Sequence, residues 1–269
     1  MTEFAVVIFP DRAKAYDGLE ALNQLHNEGS ATVYATAVVH RDPDGSLRVD
    51  ERSYEGPVGT ALATLVGALI GVFGGPAGVV AGAATGTLIG GTHDLLHVDV
   101  SDDFLGETEQ DLTPGKYAVV AEIAEDWTAP LDVRMARLGG TVVRESRDAF
   151  ADTLMQQRAD ALRQSLKHFE AERAGARAVD MEGQLDAQLA REQKRLKAMA
   201  EKARRKIEER KAELNSKLDA LRAQAAKASP DVRGRIDKRI DALRRDFEGR
   251  EEKLRRAYEL STEAIQAQA

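Results

Sequence analysis

The chain opens on "EFAVVIF" (3–9), an apolar run that stops at Pro10 and reads as a buried strand. Asp11 follows where a helix N-cap belongs. In "RAKAYDGLEALNQLHNEG" (12–29), Leu19, Leu22 and Leu25 fall on one helical face and Gly29 marks the end. "ATVYATAVVHR" (31–41) is dense in β-branched residues, "DPDG" (42–45) is a turn, and "SLRVDERSY" (46–54) alternates like a strand. After a long uncharged interval, "SDDFLGETEQDL" (101–112) predicts a short helix with an acidic start, and "KYAVVAEI" (116–123) another strand. Thr128 stands where it would cap "APLDVRMARL" (129–138). Pro130 is tolerated in the first turn, Gly139 and Gly140 end the helix, and "TVVRES" (141–146) is the last strand. Two strand–helix–strand units predict an α+β, ferredoxin-like sandwich over residues 1–146, its sheet covered by helices on one side.

The uncharged interval breaks this pattern. Residues 56–93 contain no Asp, Glu, Lys or Arg and 11 of the 22 glycines. Pro76 divides the interval into two arms, 58–73 and 77–91, which predict an inserted helical hairpin over 56–92. Gly59, Ala63, Gly67, Gly71 and Gly75 recur every fourth position in the first arm. Gly74, Gly78, Gly82, Gly86 and Gly90 do so in the second. A glycine costs ~1 kcal/mol in a helix interior, so such rows are not there for helix stability. They let helix backbones pack closely, with a crossing angle near −40°, and are the expected helix-packing and oligomerisation surface. Arms of sixteen and fifteen residues reach ~22–24 Å, short of a ~30 Å hydrocarbon core. The flanks "VDERSYE" and "HVDVSDD" are acidic, the wrong sign for cytoplasmic anchors. A lone hairpin would therefore insert poorly, and further copies of the chain are the expected help.

The succession "VVIFPDRAKAYDGLEAL", "AVVHRDPDGSLRV", "GALIGVFGGPAGVVAGAATGTLIGG", "DDFLGETEQDLTPGKYAVVAEI" and "LGGTVVRES" resembles a bacterial domain-of-unknown-function family, number twelve-sixty-nine. The resemblance covers roughly residues 3–165, and members of the family are usually labelled predicted membrane proteins. It implies a fold and a membrane association, and no enzyme activity. The tail of this chain is much longer than such domains normally carry.

That tail, 147–269, has one proline and is dominated by Ala, Arg, Glu, Gln and Leu, which predicts helix throughout. Gly175 and Gly183 bracket an expected loosening. Leu185, Leu189, Leu196, Met199, Ile207, Leu214, Leu218 and Leu221 keep three-and-four spacing with a stutter near 203–207. A turn near 228–231, with Ser229 as N-cap and Pro230 at the first helical position, starts a second helix. Its seam is Ile236, Ile240, Leu243, Phe247, Leu254 and Ser261. The two helices predict an antiparallel coiled-coil hairpin. Its seam is narrow and alanine-padded, so another chain or a helix over 148–170 is expected to complete it.

Charge divides the molecule. The net charge is −7, but residues 1–145 hold 9 Lys and Arg against 22 Asp and Glu, and residues 146–269 hold 29 against 23. Within the basic half, 191–206 concentrates Arg191, Lys194, Arg195, Lys197, Lys202, Arg204, Arg205 and Lys206 against only Glu192 and Glu201. This stretch is the candidate for binding an anionic surface such as a membrane. It lacks interleaved aromatics, which speaks against nucleic acid.

Chemistry is sparse. The absence of cysteine excludes a disulfide framework and thiolate-bound zinc, and fits a reducing compartment. The start lacks the basic n-region of a secretory signal. His93 and His97 stand at i, i+4, but Asp94 replaces the glutamate of a zinc-protease motif and no third ligand is evident, so no metal is expected. No phosphate-cradling loop, dinucleotide fingerprint or nucleophile elbow is present. Trp127 reads as a helix-end packing residue. The sequence thus predicts a non-enzymatic, cofactor-free, self-associating scaffold, membrane-peripheral or membrane-inserted, on the cytoplasmic side of a bacterial inner membrane or in the cytoplasm. A fully soluble homo-oligomer with its hairpins buried at subunit contacts is one alternative. A pore-forming or membrane-remodelling protein is another.

Overall fold

The computed structural model describes residues 2–53, 56–73, 101–146, 159–168, 171 and 179–266 of the 269-residue chain. The elements are β1 (Thr2–Phe9), α1 (Arg12–Asn27), β2 (Ala31–Arg41), β3 (Leu47–Ser53), α2 (Gly56–Phe73), α3 (Asp102–Asp111), β4 (Tyr117–Glu125), α4 (Ala129–Arg137) and β5 (Thr141–Ser146). Three helices follow: α5, described over 159–168, α6 (Val179–Lys227) and α7 (Pro230–Gln266).

Several local signals act as read. The Asp11 carboxylate accepts from the Lys14 N–H at 2.9 Å and starts α1. Gly29, at φ +73°, ends that helix. Thr128 departs from expectation. Its backbone is already helical (φ −76°, ψ −28°) and its hydroxyl makes no cap bond, because an N-cap side chain reaches back only from an extended backbone.

The sheet is antiparallel, in the order β3-β2-β4-β1-β5. The strands of the two strand–helix–strand units interleave as β2-β4-β1-β5, and β3 is an added edge strand on β2. β1 lies between β4 and β5, so every residue from Phe4 to Phe9 is buried. The side chains of Ala5, Val7 and Phe9 face α1 and α4, meeting Leu22, Leu25, Leu131 and Met135.

The other face differs from the one-sided cover expected from sequence. There Phe4, Val6 and Ile8 meet Phe104 and Leu112, together with Leu62, Leu65, Val66, Leu69 and Phe73 of α2. The first arm of the uncharged interval is thus part of the core. Its large residues recur at helical spacing on one side, and a helix lying across an apolar part of the sheet face tolerates no unpaired charge there. The second arm lies outside the described residues.

The chain forms two compact units. The first comprises residues 1–148 and 213–244, the second 149–212 and 245–269. A division in chain order after residue 146 therefore separates residues that the fold joins: the turn-proximal ends of α6 and α7 belong with the sheet. In the second unit, Leu166 packs with Leu189, Leu196 and Ala264, and Ala159 with Ala203, Leu254 and Ala257. α5 supplies the third side of the seam, as the narrow alanine-padded pattern requires. Gly183 lies within α6 and does not break it.

Candidate interface between the sheet and the helical pair

Lys217 sits on α6 at a position where the three-and-four pattern calls for an apolar residue. In the first unit its side chain is 3% exposed, and its ammonium donates to Glu122 Oε1 at 2.5 Å and Glu213 Oε1 at 2.6 Å. Glu122 is fully buried in β4, on the sheet face shared by Ala118 and Val120. The Lys217 ammonium also lies 5.2 Å from the centre of the Tyr34 ring. Burial, reinforced by the Glu122 charge, pushes the Tyr34 hydroxyl above its ordinary range. Tyr34 occupies the irregularity between Val33 and Ala35, where β2 slips register against β4.

Two turns further along α6, Gln224 reads the end of the sheet. Its amide donates to His26 O at 2.6 Å and Ala31 O at 2.9 Å, and its carbonyl accepts from the Thr32 hydroxyl at 2.7 Å. Arg239 of α7 completes the network. Its guanidinium donates to both carboxylate oxygens of Asp126 at 3.2 and 2.8 Å, to Thr32 Oγ1 at 3.1 Å and to Gly29 O at 3.0 Å. A Cβ at Gly29 would collide with Val232 of α7, so that glycine both ends α1 and admits the helical pair. Leu218, Leu221, Ile236 and Leu243 close the apolar layer beside Tyr34.

This arrangement fixes register. Satisfied buried polar groups favour one docking geometry, because sliding either helix by a turn strands a charge in an apolar layer. His26 supports the same corner. Its Nδ1 accepts from the Val33 N–H at 3.1 Å, so the neutral ring is required, and burial with the Arg239 and Lys227 charges lowers its pKa.

A second cluster ties the opposite sheet face together. The Arg144 guanidinium on β5 pairs with Glu125 at 2.9 Å, Asp132 at 2.7 Å and Glu3 at 3.7 Å. Burial, then a hydrogen bond and like charge from Glu125, raise the Glu3 carboxyl to about 7.

The residues singled out from sequence do not converge on these clusters. Gly59, Ala63, Gly67 and Gly71 lie on α2, in a row that winds from beside the sheet-facing leucines to the far side of the helix. Gly74, Gly75, Gly78, Gly82, Gly86 and Gly90 lie outside the described residues, as do His93 and His97. Among the described residues no cluster of His, Asp and Glu has the geometry of a metal site, and no helix is long and apolar enough to cross a membrane. The basic residues of 191–206 lie on α6 within the second unit. Arg191, Lys194, Arg195, Lys197, Arg204 and Arg205 are exposed, and Lys202 and Lys206 half-buried. Trp127 is no helix-end staple. It is 49% exposed, with the Arg235 guanidinium 5.7 Å from its ring centre.

Sequence reasoning passed over Lys217, Gln224 and Arg239. The available signals were polar residues at seam positions and a glutamate inside the apolar strand "AVVAEI". Residues 59–167 match the family described as "Protein of unknown function (DUF1269)", the family that the order of motifs resembles. The match begins inside α2 and leaves β1–β3 and the whole helical pair outside it. No curated protein and no solved structure matches the chain.

Proposed function

We propose that the chain is a non-enzymatic, self-associating scaffold at the periphery of a bacterial inner membrane, on its cytoplasmic side, assembled through the small-residue row of α2. The observation that carries this reading is at Gly71. Gly71 is buried, yet a Cβ built there would meet no heavy atom of the described residues within 4 Å, so no described neighbour calls for glycine at this position. The row to which Gly71 belongs then has its use in contact with another surface, and bare helix backbones are suited to close packing against a second helix. A second reading, a soluble assembly with the same rows buried between subunits, is favoured by the leucines of α2. They face the sheet and are not available to lipid.

The test is Gly71→Leu. With helix propensity raised by about 1 kcal/mol and no clash with the described residues, the variant is expected to melt at or above the wild-type temperature and yet form smaller particles by mass photometry. Particles of unchanged mass, with unchanged recovery in a membrane pellet, contradict the proposal. Recovery without detergent separates the two readings: a pellet released only by detergent supports the membrane, and monodisperse soluble particles support the soluble assembly.

A further inference from the structure

We infer that the basic face of α6 is a docking surface for the acidic helix α3 of a second copy of this chain. The inference deepens the scaffold reading by adding a charge-directed contact to the small-residue row, and it rests on that reading only for the premise of self-association.

At 100° per residue, Arg191, Lys194, Arg195, Lys202, Arg205 and Lys206 fall within one third of the helix circumference. The buried seam residues Leu189, Leu196, Ala200 and Ala203 occupy the opposite side. The face is therefore not amphipathic in the sense a lipid-inserting helix needs: its apolar side is already used against α5 and α7. Two acidic residues of the stretch serve neighbouring cations, Glu192 with Arg195 at 2.7 Å and Glu201 with Arg204 at 3.6 Å. Among the described residues, Arg191, Lys194, Lys202 and Arg205 form no ion pair.

The chain carries the complement. α3 has no basic residue, and Asp103, Glu107 and Asp111 fall in an i, i+4, i+8 row about 12 Å long. Among the described residues their carboxylates form no ion pair. The basic face from Arg191 to Lys206 is about 22 Å long, enough to span that row. Net charge decides between partners. The −13 of residues 1–145 offsets the pull of the basic face toward an anionic lipid surface or nucleic acid, whereas in a neighbouring copy the same −13 attracts that face. The contact joins two different surfaces, so each copy retains one of each and assembly continues as a ring or filament.

The experiment measures particle mass for the full-length chain between roughly 0.1 M and 1 M salt, a range over which the screening length falls from ~10 to ~3 Å. Two variants are compared: Lys194→Gln/Arg195→Gln/Lys202→Gln/Arg205→Gln, and Asp103→Asn/Glu107→Gln/Asp111→Asn. All seven positions are on the helix surface, and circular dichroism checks that both variants fold. Wild type is expected to grow at low salt, with at least about a tenfold stronger association than at high salt. Each variant alone loses that growth, and mixing the two restores only a one-to-one contact, the basic face of one variant on α3 of the other, without continued growth. Salt-insensitive particles that both variants also form overturn the inference and leave the scaffold reading standing. Monomers at every salt concentration overturn both. Vesicles of phosphatidylglycerol that retain wild type and release the glutamine variant, with self-association unchanged, assign the face to lipid and overturn the inference.

Discussion

Two buried charge clusters behave differently at the scale of single residues. Lys217 holds Glu122 and Glu213 in a layer that excludes water. Lys217→Met leaves two carboxylates facing each other without a cation, and is expected to cost about 3–5 kcal/mol in urea unfolding. Adding Glu122→Gln is expected to return part of that loss, because the pair is coupled and one charge fewer remains buried. Equal, additive losses would mean that the ion pair does not hold the helix to the sheet. Glu3 works in the opposite sense. Its carboxyl is raised from 4.5 to about 7, so between those values the folded chain keeps a proton that the unfolded chain has released. Stability attributable to Glu3 is thus fully present below 4.5 and is lost as pH rises through 7. Glu3→Gln is expected to melt with wild type at about pH 4 and above it at about pH 8, by thermal denaturation. A variant less stable than wild type at the higher pH would contradict this.

At the scale of elements, much was legible and the remainder has physical reasons. β1, α1, β2 and β4 carry a plain period or an unbroken apolar run, and Pro10, Gly29, Gly45 and Gly139 punctuate them; the three glycines all have positive φ. α2 was legible as a helix, while its partner was not. The glycine row is conspicuous, whereas the stripe Leu62, Leu65, Val66, Leu69 and Phe73, which seats the helix on the sheet, has no polar contrast around it to mark it. The helical seam shows the converse. Leu218, Leu221, Ile236 and Leu243 announce packing, but a two-helix reading gives no reason for Lys217, Gln224 and Arg239 to be buried among them. Their partners stand 95, 192 and 113 residues away, at Glu122, Thr32 and Asp126, and periodicity carries no information over such separations.

For the whole molecule, the consequence is that chain order and folding units do not coincide. Residues 213–244 lie in the tail, yet they close the sheet face around Tyr34, Thr32 and Glu122. This helical end and the sheet therefore form one cooperative unit. Native-state hydrogen exchange on the intact chain tests it most directly, because segments that open together share one opening free energy. A common value is expected for the amides of β4 and of the residues flanking Lys217 and Arg239. Rapid exchange in 213–244 while β4 remains fully protected would contradict it.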